Sequence, residues 1–122
     1  MDIDISGVLP IVLKLLEGID FMNISGLNYT IEFLDTPPIL DGEEVLGLID
    51  YDGQKIYIDK NQHPELLEIT IIHELLHGII HDRKFQLGNL EEQIVDGLAR
   101  GLYQVVKDNP ELMQKLVSRL SK

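Results

Sequence analysis

The chain has 122 residues, 44% of them hydrophobic, which is the size of one compact domain around a single core. Its 10 Lys and Arg stand against 21 Asp and Glu, and the formal charge of -11 would be repelled by phosphate backbones and anionic lipid, which argues against nucleic-acid and membrane partners. Cysteine is absent, so disulfides, thiolate metal sites and cysteine nucleophiles are excluded, and any metal must be held by His and carboxylates.

Residues 8–16 are apolar, but Asp2 and Asp4 occupy the place of a basic leader region, Lys14 interrupts the run and no small-residue cleavage site follows. No stretch reaches the roughly 18 uncharged apolar residues that span a bilayer, so the expected setting is soluble and cytoplasmic. Apolar spacing predicts a first helix over about residues 6–18. Residues 29–34 alternate, are rich in strand formers, and end at Thr36-Pro37-Pro38. Residues 45–51 and 55–59 read as two strands joined by the turn Asp52-Gly53. Pro64 suits the first turn of a helix that keeps its apolar spacing to about His81. A polar loop over residues 82–88 then leads to a helix from about Leu90 to Asp108, and Asn109-Pro110 separates it from an amphipathic helix through Leu120. The expected fold is α+β: one domain over residues 1–122, with a short twisted sheet of about three strands packed on the long central helix.

That helix carries His73-Glu74-Leu75-Leu76-His77. Four residues along an α-helix advance about 6 Å and turn about 40°, so His73 and His77 project from one face and can converge on one ion. Glu74 is offset around the helix, where its carboxylate reaches a metal-activated water in the place of a general base. The plain alternative is a pair of structural histidines, but on so apolar a helix each would need its own buried partner. A catalytic zinc takes three protein ligands and keeps an open position. His81 lies about 12 Å along the axis from His73, too far to share the ion, and reads as an outer, cleft or capping histidine. The third ligand is therefore expected from the next helix, where Glu91 and Glu92 both stand. Their structural alternative is a capping box between Asn89 and Glu92, with Glu91 favouring the positive end of the helix dipole. Tyr103 reads as core, His63 as a cap or cleft residue, and Asp50, Asp52 and Asp59 as turn and edge carboxylates.

The spacing of Glu92 and Asp96 resembles the second motif of gluzincin metallopeptidases. More narrowly, Glu92, Val95, Asp96, Leu98 and Ala99 resemble the Glu-x-x-Ala-Asn-x-Phe-Ala helix of the ImmA/IrrE-type metallopeptidases, and the likeness spans roughly residues 47–103. It implies a zincin-like domain with one zinc per chain, or another divalent ion such as manganese, on His73, His77 and Glu92. Glu74 is then the general base, and Asp96 the acid that supports a ligand histidine where the family has Asn. The implied activity is a zinc-dependent endopeptidase that cuts one regulatory protein, such as a repressor of a phage or mobile element.

The acidic charge suits a protein or peptide substrate with a basic face, such as a DNA-binding repressor. Residues 55–59 are the expected edge for holding an extended segment. Two rivals are a metal-dependent hydrolase of other acyl groups and an idle metal-binding module that antagonises a regulator. An intact Glu74 counts against the idle module.

Overall fold

A computed structural model describes residues 19–121, and the helix expected over residues 6–18 lies outside them. Two tight hairpins are set by left-handed dipeptides. β1 (Phe21–Ile24) turns into β2 (Leu27–Leu34) through Ser25 and Gly26, with φ of 53° and 90°. β3 (Ile39–Leu40) turns into β4 (Glu43–Glu44) through Asp41 and Gly42, with φ of 52° and 81°. Such loops match the right-handed twist of the flanking strands.

β5 (Gly47–Asp50) and β6 (Lys55–Asp59) form the expected hairpin, with Asp50 opposite Lys55. Its loop is longer than a two-residue Asp-Gly turn: the Asp50 carboxylate accepts from the Gly53 N–H at 3.0 Å, and the left-handed residue is Gln54 at φ 52°. The short Asp-Gly turn is realised at residues 41–42 instead.

The main sheet has four strands in the order β1-β2-β6-β5, with β2 and β6 parallel and the other pairs antiparallel. This corrects the placing of residues 55–59 at an edge. Because β6 pairs on both sides and buries Ile56 and Ile58 completely, it is an interior strand, and the edge on that side is β5. β1 supplies a strand that the sequence pattern did not suggest.

α1 (Pro64–Arg83) opens with proline in its first turn and with His63 as cap, whose Nδ1 accepts from the Glu65 N–H at 3.4 Å. It closes at Lys84, whose left-handed φ of 61° lets its N–H reach the last carbonyls. Leu67, Ile71 and Leu75, spaced by one turn, pack on the core formed with Ile24, Tyr29, Ile56 and Ile58. Two glycines allow the close seating of helix on sheet. A Cβ on Gly78 would stand 2.5 Å from Ile24 Cδ1, and one on Gly47 would stand 2.7 Å from Thr70 Cγ2 and 3.1 Å from Glu74 Cγ. Buried Gln62 locks the same corner: its amide nitrogen donates to the carbonyls of Leu46 and Asp59, and its oxygen accepts from the Thr70 hydroxyl at 2.7 Å.

After a 3-10 turn at Gly88–Leu90, α2 (Glu91–Asp108) runs back along α1, burying Val95 and Ala99. The contacts fix the antiparallel sense: its first residues meet His73 and His77, and Lys107 near its end pairs with Glu65 at the start of α1. α3 (Pro110–Leu120) follows directly, again with proline in its first turn. The architecture is α+β, and among the described residues no helix is long and apolar enough to cross a membrane.

A glycine at a close approach and one facing open space give opposite expectations for substitution. Gly47→Val drives a branched side chain into Thr70 and Glu74 and is expected to lower unfolding free energy by about 1–3 kcal/mol. Gly97→Ala, in the middle of α2 with nothing within 4 Å of the added carbon, is expected to raise it by about 0.5–1 kcal/mol. Urea midpoints of the two variants, moving to opposite sides of the parent, are the check.

Candidate metal centre

The site forms where the third and fourth turns of α1 face the first turn of α2. His73 and His77 share one face of α1 with their ring centroids 4.9 Å apart, and their Nε2 atoms come within 3.2 Å. Glu92 reaches across from α2, with Oε1 2.8 Å from His73 Nε2 and Oε2 2.9 Å from His77 Nε2. The ligand atoms of these three residues all lie within 4.8 Å of one another. Donor atoms around a tetrahedral ion with bonds of 2.0–2.1 Å stand roughly 3.3 Å apart, close to these separations.

The chemistry of the donor set also favours a cation. Both ring nitrogens of His77 face carboxylates, Nδ1 at 2.7 Å from Glu91 Oε2 and Nε2 at 2.9 Å from Glu92 Oε2. A neutral ring carries one N–H, so one of these contacts brings two acceptors together and needs a positive charge between or on them. A group of two imidazole nitrogens and a carboxylate can supply that by holding a metal ion. The capping box offered as an alternative for Glu92 is not formed: α2 starts from Leu90 with no side-chain cap, and Glu92 is turned to the histidines.

Glu74 sits beside this triad on the inner side of the helix, only 4% exposed, against the backbone of β5 at Gly47. Burial pushes its carboxyl up to about 7; His77 opposes the shift and Glu92 adds to it. Glu74, His73, His77 and Glu92 all line one cleft of about 700 Å³, whose other walls are β5, residues 45–46 and Leu66 and Ile69 of α1.

The remaining residues singled out from the sequence are distributed around this cluster. Asp96 Oδ1 is 3.9 Å from His73 Nδ1, and the carboxylate is held by Arg100 Nε at 3.2 and 3.3 Å. His81 stacks on Tyr51 with centroids 3.8 Å apart and planes within 8°, and faces a separate, smaller cleft. Tyr103 is partly buried, with Lys107 Nζ 5.9 Å above its ring. Asp50 caps a turn, while Asp59 is buried at the end of the interior strand and accepts from the Asn61 N–H.

Two further neighbours contact His77. Tyr51, just past β5, donates its hydroxyl to the His77 carbonyl at 3.3 Å, and burial together with Glu91 and Glu74 pushes its phenol up to about 12, so it stays a neutral donor. The sequence offers Glu91 as a rival ligand or as an acid at the positive end of the helix dipole, but not as the acceptor that the second nitrogen of a ligand histidine requires, for which an acid beside Glu92 is the available signal.

Calorimetric titration with zinc should give one ion per chain, with stoichiometric binding abolished in His73→Ala and in His77→Ala. Full occupancy in the His77→Ala protein would exclude this cluster as the metal centre. No protein-family model, curated protein or solved structure matches the chain, so the side-chain geometry itself carries the functional argument.

Proposed function

We propose that the protein is a zinc-dependent endopeptidase of zincin-like architecture, resembling the ImmA/IrrE-type metallopeptidases, that acts in the cytoplasm on a regulatory protein. The observation that carries this reading is the placement of buried Glu74 in the same cleft as three converging metal donors. Zinc on His73, His77 and Glu92 would supply Lewis acidity, polarising an acyl carbonyl and lowering the pKa of water toward about 7.

The chain's own groups account for the rest. Glu74, with a proton affinity raised by burial, accepts the proton of the attacking water and returns it to the leaving amine. An idle binding module would have no use for a carboxyl group held 4% exposed against a glycine at this point. Among the described residues β5 is one of the two edge strands of the sheet and lines the cleft with Gly47, Leu48 and Ile49, so an extended segment can add to it by backbone hydrogen bonds. The described residues offer an open cleft beside one strand edge, so we expect affinity to come from a surface match with a folded partner. The charge of -11 favours one with a basic face, such as a DNA-binding repressor of a phage or mobile element.

Glu74→Gln should keep the fold and the metal and lose about 10²- to 10⁴-fold in cleavage rate, because the amide preserves shape and accepts no proton. Digestion of a panel of basic DNA-binding regulators, with casein as control, reads both chemistry and specificity. Cleavage confined to one or few regulators and weakened by salt is the expected result. Equal rates for the parent and Glu74→Gln would remove the general base, and rapid, salt-independent digestion of casein would point to a degradative role.

A further inference from the structure

The geometry points to Glu91 as the positioning residue of the centre: its carboxylate holds His77 as the Nδ1–H tautomer and directs Nε2 into the donor triad. This rests on the metal reading given above for His73, His77 and Glu92, but the contact itself belongs to the protein alone.

Consecutive residues at the start of α2 take opposite nitrogens of one ring. Glu91 Oε2 is 2.7 Å from His77 Nδ1, and Glu92 Oε2 is 2.9 Å from His77 Nε2. Neighbouring residues on a helix project about 100° apart, so two adjacent carboxylates can straddle an imidazole only when the ring faces the helix end between them. The 3-10 turn at Gly88–Leu90 makes Glu91 the first residue of α2 and places that end against His77.

The second histidine is held differently. The carboxylate beside His73 Nδ1 is that of Asp96, at 3.9 Å, beyond hydrogen-bond length, and Arg100 engages it. Orientation of the pair is therefore unequal. His77 is clamped at both nitrogens and its carbonyl accepts from Tyr51, whereas His73 depends chiefly on Glu92. Loss of Glu91 should free the His77 ring to carry its proton on Nε2, the atom the triad needs bare.

Two readouts test this on the full chain, with Zn²⁺ alone as probe. In the metal-free protein at alkaline pH, imidazole ¹H–¹⁵N correlations should show the His77 proton on Nδ1 and protected from exchange. It should be retained in Glu91→Gln, whose carbonyl oxygen still accepts, and lost in Glu91→Ala. Zinc affinity by chelator competition should fall about 10- to 100-fold in Glu91→Ala, less in Glu91→Gln, and less in Asp96→Ala than in Glu91→Ala. A parent protein that shows the Nδ1 proton but binds no zinc would sustain the positioning and defeat the peptidase reading. A His77 proton on Nε2 in the parent, zinc affinity in Glu91→Ala equal to the parent's, or a larger loss in Asp96→Ala would overturn the assignment.

Discussion

The seating of α1 on the sheet is the contact to which everything else is referred. Leu67, Ile71 and Leu75 face the sheet, Gly78 lets the helix approach Ile24, and Gly47 lets the edge strand approach Thr70 and Glu74. Because the helix is held at this distance, one turn serves two purposes: Glu74 is pressed against strand backbone while His73, one residue earlier, faces the cleft. The buried side chain of Gln62 ties the carbonyl of Leu46, just before β5, to Thr70 on the helix, so the edge strand and the reactive face cannot drift apart independently.

α2 completes the cluster under a different constraint. Its first turn brings Glu91 and Glu92 to a helix face that already holds Glu74, and Asp96 follows one turn later. Crowding acids in this way opposes folding in a chain that already carries a charge of -11. The positive end of the α2 dipole favours Glu91 and Glu92, and Arg100 engages Asp96. The Glu92 carboxylate, set against two imidazole nitrogens, completes a group that could hold a cation.

The parts legible in the sequence were those with their own periodicity or fixed spacing. α1, α2 and α3 fall within a few residues of the apolar patterns that predict them, and the two histidines share a face because four residues make roughly one turn. Sheet order was not legible, since strand pairing depends on partners far along the chain. The apolar residues of β6 suit an interior strand, but nothing in residues 55–59 names β2 as its parallel neighbour. The turn signal was present three times, as Ser25-Gly26, Asp41-Gly42 and Asp52-Gly53, and only the first two adopt the tight form because at the third Asp50 binds Gly53. The spacing to Asp96 favours Glu92 over Glu91 as the ligand, but nothing in the letters assigns Glu91 to a nitrogen of His77. Only the tight start of α2 after a 3-10 turn sends one to the outer nitrogen and the other to the inner ones.

The antiparallel pairing of α1 and α2 bears on how the molecule assembles. His77 meets Glu91 and Glu92 across only 14 and 15 positions of chain, joined by one short connection, so these contacts close a small loop at low entropic cost. Burial of Glu74 involves β5, and β5 is anchored through β6 to β2, a parallel pairing that closes a longer loop and is expected to form later in a topology-limited search. The helical pair can therefore gather its donors while the cleft wall is still absent. During that interval the cluster would be open to the cations of its surroundings, and any ion it held would be selected by availability as well as by the finished geometry.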